Sequence, residues 1–421
     1  MARLPKVCVI GAGSSGLPVL KALYDQGLPF DCFEASDRVG GNWVFRNANG
    51  MSSAYRSLHI NTSRDRMQYA DLPMPQDYPD FPHHELIATY FDDYVDHFDL
   101  RHTISFDTKV TGAVREDDGV WRVEVQRSWR EDGAREVRFY DALIVANGHH
   151  WSPRLPDPPF PGHFDGEAFH SHHYLDPSQP HQLAGKRVLV VGIGNSAMDI
   201  ACELGRPEVC DRVWLSCRRG AWVIPHYLLG KPLDQLLVLP PWVPWSARIA
   251  AARSVYKLVV GKMENYGLPT PDHALGEAHP TVSSEFLPRL GRGDIGIKPN
   301  LTRLDGDGVE FADGSREKVD FIIYCTGYDV SFPFFEAGFL PLQDNDLPLY
   351  RRMVRPDIDN LFFVGLMQPL GAIMPLAEAQ GKWIGEHLSG RCALPSPGEM
   401  QADIDKVRAA MFKRYVQSAR H

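Results

Sequence analysis

The chain has 421 residues, of which 44% are hydrophobic and 23% are charged, and its formal net charge at pH 7 is −9. This length and composition are typical of a globular protein with two or three domains. The acidic balance excludes a nucleic-acid-binding protein that depends on a dense surface of lysine and arginine.

The N-terminal sequence MARLPKVCVIGAG combines basic residues with a short apolar run, and glycines follow directly after Ile10. A signal peptide needs a longer apolar segment, so we predict a first β-strand here. Since no segment has about 18 uninterrupted apolar residues, no membrane-spanning helix is expected. The most apolar segment, 233–260, is interpreted as a helical subdomain, with peripheral membrane contact as the alternative.

The seven cysteines are scattered along the chain, and none belongs to a Cys-x-x-Cys pair. An odd, unpaired set indicates reduced thiols and a cytoplasmic location rather than a disulfide framework. The same pattern disfavours a dithiol reductase.

The segment KVCVIGAGSSGLPVLKAL contains the first motif with chemical content. Gly11, Gly13 and Gly16 form Gly-x-Gly-x-x-Gly between a predicted strand and a predicted helix. These glycines permit a tight turn, the approach of a pyrophosphate to the backbone and close helix–strand packing. The next predicted strand ends at Glu34, where a carboxylate can bind ribose hydroxyls. The motif therefore predicts a dinucleotide without a 2′-phosphate, such as FAD.

A second motif follows in KRVLVVGIGNSAMDIACEL, where Gly192, Gly194 and Ala197 form Gly-x-Gly-x-x-Ala. The strand after it is followed by Arg218 and Arg219 instead of an acid. Since guanidinium groups pair with a 2′-phosphate that a carboxylate would repel, this site should prefer NADPH to NADH. The alternative is that the two arginines are an ordinary solvated pair.

Two nucleotide sites in one chain predict an α/β fold with two Rossmann-like dinucleotide-binding domains. The simplest arrangement inserts the NADPH domain into a discontinuous FAD domain. The predicted FAD domain comprises residues 1–165 and 285–421, and the predicted NADPH domain, with a helical insertion, comprises residues 166–284. The hydrophobic strands in EKVDFIIYCTGYD and DNLFFVGLMQPLG are both expected to rejoin the FAD domain.

The stretch FDGEAFHSHHY fits the pattern Phe-x-Gly-x-x-x-His-x-x-x-Tyr, with Phe164, Gly166, His170 and Tyr174. Other motifs accompany it in order: GAGSSG, GGNW, NTSRDRMQYADLPMP, GIGNSA, RRGAW, CTGY and GLMQPLG. With these motifs the chain resembles the flavin-containing monooxygenases, class B flavoproteins, over nearly its whole length. Related Baeyer–Villiger monooxygenases carry Trp followed by Pro or Asp where this chain has Tyr174 and Leu175. The resemblance therefore favours the branch that oxygenates nitrogen and sulfur.

The resemblance implies an NADPH-dependent flavoprotein monooxygenase that acts on a small molecule and dioxygen. The reduced flavin forms a C4a-hydroperoxyflavin, and a soft nucleophile, an amine nitrogen or a sulfide sulfur, takes up its distal oxygen. Two alternatives stay open, Baeyer–Villiger oxidation of ketones and an NADPH oxidase or reductase without substrate oxygenation. A homodimer is implied, whereas a metal, a nucleic-acid partner and integral membrane association are not expected.

The chain ends in KVRAAMFKRYVQSARH, without the hydrophobic C-terminal anchor of the animal enzymes. The resemblance therefore implies a soluble, bacterial-type member of the family.

The resemblance assigns the main catalytic role to Asn61, in HINTSRD. Because an amide both donates and accepts hydrogen bonds, it can hold the peroxide and the nicotinamide ribose without proton transfer. An ordinary turn or cap residue is the alternative. The stretch from Phe164 to Tyr174 is expected to link the two domains, with His170 ordering the linker through hydrogen bonds or, alternatively, acting as an acid/base catalyst.

The resemblance also implies that other residues contact the cofactors, most of them in the matching motifs and one, Val110, at the end of the strand-like TKV. They are Ser15, Gly41, Trp43, Thr62, Val110 and Gln368 for FAD, and Asn195 and Ser196 for NADPH. The Val110 contact is expected to come from its backbone.

Overall fold

The computed structural model describes residues 3–127, 133, 135–236, 240 and 242–415. The chain divides into two compact units, of which the first comprises Met1–Ala54, Thr62–Ser152 and Asp329–His421, and the second comprises Tyr55–Asn61 and Pro153–Tyr328. The predicted α/β fold with one unit inserted into another is confirmed. The units change at residues 152/153 and 328/329, whereas the sequence predicts changes at 165/166 and 284/285.

A six-stranded sheet forms the centre of the first unit. Its strands lie in the spatial order Val354–Arg355, Ile358–Phe363, Ala142–Val145, Val7–Ile10, Phe30–Phe33 and Ile104–Ser105. All neighbouring strands are parallel except the first pair, which is antiparallel. The strands Val7–Ile10 and Ala142–Val145 are buried along their whole length, as expected for parallel strands covered on both faces.

An antiparallel sheet of three strands completes the β-structure of the first unit, with Thr108–Arg115, Trp121–Arg127 and Arg135–Tyr140. The α-helices described in this unit are Gly16–Asp25, Arg64–Met67, His84–His97, Met374–Leu388 and Pro397–Arg414, and the 3-10 segments are Gly41–Trp43 and Arg101–Thr103. The first helix packs closely on Met374–Leu388 at Gly381. A Cβ on this glycine would lie only 3.0 Å from the Val19 Cα.

The second unit is built on a parallel sheet of five strands. Their spatial order is Ile295–Lys298, Arg212–Ser216, Arg187–Val191, Phe321–Tyr324 and Glu167–His170. The strand Phe321–Tyr324 therefore pairs inside the second unit, although the sequence places it in the FAD domain. Both late strands are hydrophobic and parallel, so composition alone does not show which sheet each one joins.

A second sheet of this unit contains Arg316–Lys318, Gly308–Phe311, Leu301–Gly306 and Gly162–Phe164, in that spatial order. The second unit also contains two short pairs of strands: Val223–Ile224 lies parallel to Thr281–Val282, and Tyr227–Leu228 lies antiparallel to Lys231–Pro232. The helices described here are Asn195–Leu204, Leu233–Leu236, Trp245–Val259 and Phe286–Arg292, and the 3-10 segments are Ser171–His173 and Met263–Tyr266.

The helices Leu233–Leu236 and Trp245–Val259 agree with the helical subdomain that the sequence predicts for residues 233–260. Within the described parts of the chain, no helix combines the length and the apolar character needed to cross a membrane.

Candidate active site

The first glycine-rich loop connects the first strand to the first helix, as the sequence predicts. Gly11 has φ +99°, and a Cβ on it would lie 2.7 Å from the Ala146 carbonyl oxygen. A Cβ on Gly16 would lie 2.0 Å from the carbonyl oxygen of Gly11. At Gly13 the nearest atom would be the Gly41 Cα, at an ordinary 3.5 Å. The packing of the loop therefore requires glycine at 11 and 16, whereas a Cβ at position 13 would only make an ordinary van der Waals contact.

Glu34 holds this loop against the end of the second strand. Its carboxylate accepts a hydrogen bond from the Ala12 backbone N–H at 2.7 Å and another from the Ser36 backbone N–H at 2.8 Å. Burial raises the pKa of Glu34, and these backbone hydrogen bonds oppose the change. Because each carboxylate oxygen has two lone-pair sites, both oxygens keep acceptor capacity for a ligand.

The other residues predicted to contact FAD all belong to the first unit: Ser15, Gly41, Trp43, Thr62, Val110 and Gln368. Ser15 precedes the first helix, and a Cβ on Gly365 would lie 2.1 Å from its Oγ. Trp43 is half-buried and Gln368 is exposed. The Val110 side chain is part of the apolar core, so only its backbone is available to a ligand.

The second glycine-rich loop lies at the start of the helix Asn195–Leu204. Gly192 has φ +133°, and a Cβ on it would lie 2.5 Å from the Cys325 carbonyl oxygen. Gly194 has extended backbone with φ −77° and ψ −179°. A Cβ there would have no described atom within 4 Å. Packing therefore requires glycine at 192, whereas Gly194 leaves open space beside a helix N-terminus.

Hydrogen bonds from the Thr281 hydroxyl and the Val282 backbone N–H hold the second loop in place. The Asn195 side-chain oxygen accepts a hydrogen bond from the Val282 backbone N–H at 2.9 Å, and the Thr281 hydroxyl donates to the Ile193 carbonyl at 2.9 Å. The Asn195 side-chain oxygen is therefore already engaged in a hydrogen bond within the protein. The groups that a helix start offers to an anion here are the backbone N–H groups of Asn195 and Ser196.

The two arginines after the strand Arg212–Ser216 differ in their surroundings. Both side chains are exposed, but Arg219 Nε lies 3.2 Å from Asp272 Oδ2. Among the described residues, Arg218 has no acidic partner. Its guanidinium is therefore the one that can pair with a phosphate without first leaving a carboxylate.

The stretch from Phe164 to Tyr174 lies entirely in the second unit. Instead of a free linker, it contains parts of two paired strands: Gly162–Phe164 pairs with Leu301–Gly306, and Glu167–His170 pairs with Phe321–Tyr324. A Cβ on Gly166 would lie 2.4 Å from the Asp320 carbonyl oxygen, which explains the glycine of the motif.

The histidine and tyrosine of this motif make hydrogen bonds inside the second unit. His170 is 3% exposed, and its Nδ1 accepts a hydrogen bond from the His172 backbone N–H at 3.0 Å. Burial lowers the pKa of His170 to about 4, so its imidazole is neutral at physiological pH. The Tyr174 hydroxyl donates to Glu203 at 2.9 Å. With these hydrogen bonds, His170 and Tyr174 stabilise the turn that the motif forms.

The segment Tyr55–Asn61 belongs to the second unit, although the residues on both sides of it belong to the first. Three of its side chains donate hydrogen bonds to carboxylates of the second unit: Tyr55 to Asp199 at 2.5 Å, Arg56 to Asp176 at 3.0 Å and Ser57 to Glu203 at 2.9 Å. Burial raises the pKa of Asp199 to about 6, and the hydrogen bond from Tyr55 opposes this rise. The segment is therefore fixed along its length.

Asn61 ends this segment, and its side-chain Oδ1 lies 3.2 Å from His226 Nε2. His226 is separated from Asn61 by 165 positions and belongs to none of the sequence motifs described above. No motif joins the two residues, so no pattern in the sequence could have indicated this contact.

One group of described residues brings three potential metal ligands together, since ligand atoms of His83, His84 and Glu85 all lie within 4.8 Å of one another. His83 Nδ1 also accepts a hydrogen bond from the Glu85 backbone N–H at 3.4 Å, which makes His83 the N-cap of the helix His84–His97. Three protein ligands are fewer than the four of a structural zinc site, and the hydrogen bond of His83 is that of a helix cap.

Comparison with known proteins identifies the family. The model of the family described as Flavin-binding monooxygenase-like matches residues 4–421. The chain belongs to this family. Flavin-containing monooxygenase 5 of Rattus norvegicus is 37% identical over 434 residues, which cover 99% of this chain and 79% of that protein.

This flavin-binding monooxygenase has further relatives. The N-oxide-forming dimethylaniline monooxygenase 2 of Rattus norvegicus is 38% identical, with 95% of this chain and 76% of that protein covered. The structure of S-allyl-L-cysteine S-oxygenase from Allium sativum superposes with a TM-score of 0.71 at 25% identity, with 97% of this chain and 82% of that chain covered. The flavin-binding monooxygenase of this sequence depends on FAD and NADPH.

Proposed function

We propose that FAD binds at the first glycine-rich loop and NADPH at the second. Two features support the binding of a pyrophosphate at each loop: a helix N-terminus, which attracts anions, and a glycine, Gly13 or Gly194, at which an added Cβ would meet no other part of the protein closer than 3.5 Å. The assignment of the cofactors rests on charge. Glu34 follows the first loop and suits ribose hydroxyls, whereas Arg218 follows the second and suits a 2′-phosphate.

We assign the remaining cofactor contacts on the same basis. In the first unit these residues are Ser15, Gly41, Trp43, Thr62, Val110 through its backbone, and Gln368. In the second unit they are the backbone N–H groups of Asn195 and Ser196, with Arg219 as a second cation near the 2′-phosphate. The hydrogen bond that engages the Asn195 side chain supports the choice of its backbone.

The reaction that we propose is the oxygenation of a soft nucleophile, an amine nitrogen or a sulfide sulfur, in a small molecule. Bound flavin, once reduced by NADPH, supplies the activation of dioxygen. Relatives named for N-oxide formation and S-oxygenation support this substrate class. The observation that carries the proposal is the pair of intact glycine-rich loops with an acid after one and arginines after the other.

Asn61 is the residue to which we give the catalytic role. Its amide can hold the oxygen that is transferred and the nicotinamide ribose, because it donates and accepts without exchanging a proton. The fixed segment that carries it supports this role, since catalytic groups act best from preorganised positions.

We also propose a cytoplasmic location. All seven cysteines are free thiols and six of them are buried, which suits a reducing compartment. The homodimer stays a prediction of the family resemblance.

Rapid mixing tests the function directly. The protein is reduced with NADPH without oxygen and mixed with aerated buffer while the flavin spectrum is recorded without substrate. We expect a long-lived absorbing species that differs from both oxidised and reduced flavin. A direct return to oxidised flavin with stoichiometric hydrogen peroxide would refute oxygen transfer. Products from a tertiary amine, a thioether and a ketone then define the substrate class, and conversion of the ketone alone would contradict our assignment.

A further inference from the structure

We propose that His226 is a positioning residue for Asn61, which it holds through a hydrogen bond so that the Asn61 amide N–H groups are presented for binding. The proposal rests on the function proposed above, since it concerns how the catalytic amide is oriented. Three contacts carry it, and all of them lie within the second unit.

The first contact joins the two side chains, with His226 Nε2 at 3.2 Å from Asn61 Oδ1. A carbonyl oxygen can only accept, so in this orientation Nε2 carries the hydrogen and donates it. A neutral imidazole with its hydrogen on Nε2 has a lone pair on Nδ1. The tautomer that fits Asn61 therefore requires a donor at Nδ1.

Ser284 supplies that donor. Its Oγ lies 3.1 Å from His226 Nδ1 and 3.0 Å from the His226 backbone nitrogen. The backbone N–H donates to the hydroxyl oxygen, which leaves the hydroxyl hydrogen for Nδ1. A hydroxyl can do both at once, so Ser284 fixes the ring orientation and the tautomer together.

The fold brings His226 and Ser284 together through a short parallel pair of strands. Ile224 is opposite Val282 in the pairing of Val223–Ile224 with Thr281–Val282. His226 and Ser284 each follow the end of their strand by two residues, and a hydrogen bond from the Ser283 backbone N–H to the Ile224 carbonyl oxygen keeps the two segments side by side. This backbone pairing fixes the position of the imidazole independently of Asn61.

The electrostatic surroundings keep the imidazole neutral. Burial lowers the pKa of His226, the charge of His59 lowers it further, and Asp234 and Glu285 raise it. A neutral ring is required, because protonation at Nδ1 would remove the lone pair that receives the Ser284 hydrogen.

For Asn61 the consequence is a defined direction of its amide. With one lone pair of Oδ1 bound to His226, the NH₂ group faces away from the imidazole and is available to donate to other partners. Among the described residues, that NH₂ group makes no hydrogen bond to the protein. A free asparagine amide could rotate by half a turn and exchange the positions of its oxygen and its NH₂ group, so the contact with His226 fixes the side on which the donors are presented.

The first test measures how long the oxygen-dependent flavin absorbance persists without substrate. His226→Phe keeps a flat ring but cannot hydrogen-bond, and we expect the absorbance to decay about tenfold faster, the loss expected from one hydrogen bond. His226→Gln has an amide that can donate to Asn61 Oδ1, and we expect its decay to remain within about threefold of the unsubstituted protein. FAD content and the midpoint of chemical denaturation, measured on each variant, monitor the fold.

A double-mutant cycle separates positioning from a structural role. If His226 acts through Asn61, His226→Phe will not accelerate the decay further in an Asn61→Ala background. An equal acceleration in both backgrounds, or none in the His226→Phe single variant, would overturn the proposal. Ser284→Ala provides a second, milder perturbation and should accelerate the decay in the same direction.

The second test reads the contact itself, without turnover. Nitrogen-15 NMR of histidine-labelled holoenzyme, with His226→Gln used to assign the signal, reports the tautomer and the pKa of His226. We expect a neutral ring protonated at Nε2, with signals that shift in Asn61→Ala. A ring protonated at Nδ1, or signals unaffected by Asn61→Ala, would refute the contact. If the unsubstituted protein shows no long-lived flavin absorbance, the proposed function fails, whereas this comparison still decides the contact.

Discussion

Substitution of Gly194 by alanine tests whether the second loop receives a pyrophosphate. The backbone there is extended, with φ −77° and ψ −179°, a conformation that alanine adopts without strain. No described atom lies within 4 Å of the added Cβ. We therefore expect the free energy of unfolding of the protein without NADP⁺ to change by no more than about 0.5 kcal/mol.

The expected effect of Gly194→Ala on cofactor binding is much larger. The methyl group would occupy the space through which a pyrophosphate approaches the backbone N–H groups of the helix start. Loss of one hydrogen bond to a charged group costs about 1.5–3 kcal/mol, which corresponds to a rise in the Kd for NADP⁺ of roughly 10- to 150-fold. Isothermal titration calorimetry of the FAD-loaded protein measures this Kd, and FAD content should not change.

Gly192→Ala is the matched comparison for this prediction. Its backbone has φ +133°, and its added Cβ would lie 2.5 Å from the Cys325 carbonyl oxygen. Backbone strain and overpacking together should destabilise this variant by at least about 2 kcal/mol in chemical denaturation. Our reasoning is refuted if Gly194→Ala binds NADP⁺ with unchanged affinity, or if it is destabilised as much as Gly192→Ala.

Three further predictions concern charged side chains. Glu34→Gln sets an amide N–H against a backbone N–H, because both carboxylate oxygens accept backbone hydrogen bonds. We therefore expect about 1–3 kcal/mol of destabilisation and a reduced FAD content. An unchanged free energy of unfolding would contradict this. The pKa of Asp199, 3.8 when unperturbed and about 6 in the fold, means that the wild-type protein loses stability as pH rises through about 6. The free energy of unfolding of Asp199→Asn, relative to that of the wild type, should therefore rise by about 3 kcal/mol between acidic and alkaline pH. A difference between the denaturation midpoints of the two proteins that does not change with pH would argue against this. Arg218→Ala should raise the Kd for NADP⁺ about tenfold and leave the Kd for NAD⁺ nearly unchanged. Arg219→Ala should have a smaller effect, because Arg219 already pairs with Asp272. Equal effects on the binding of both nucleotides would exclude a 2′-phosphate contact.

Local features of the chain were predictable from the sequence. The strand Val7–Ile10, the glycine-rich loop and the helix Gly16–Asp25 follow one another as the motif predicts, and the same holds for Arg187–Val191 and Asn195–Leu204. These elements depend on contacts between residues that are close in the chain. Glycine spacing and apolar runs report such contacts directly.

Interactions between distant residues were not predictable in the same way. The strand Phe321–Tyr324 was expected in the FAD domain but pairs with Arg187–Val191. Its apolar composition is compatible with any buried parallel sheet, so the composition does not select a partner. The ion pair between Arg219 and Asp272 likewise distinguishes two adjacent arginines that look equivalent in the sequence.

The sequence by itself determined the family and the two nucleotide motifs, and it predicts the cofactor that each motif prefers, because the spacing of glycines and the charge that follows them are local properties. The tertiary structure decided that Tyr55–Asn61 packs in the second unit and that His226 contacts Asn61. That contact depends on the parallel pairing of Val223–Ile224 with Thr281–Val282, and strand pairing joins backbone groups that no motif connects.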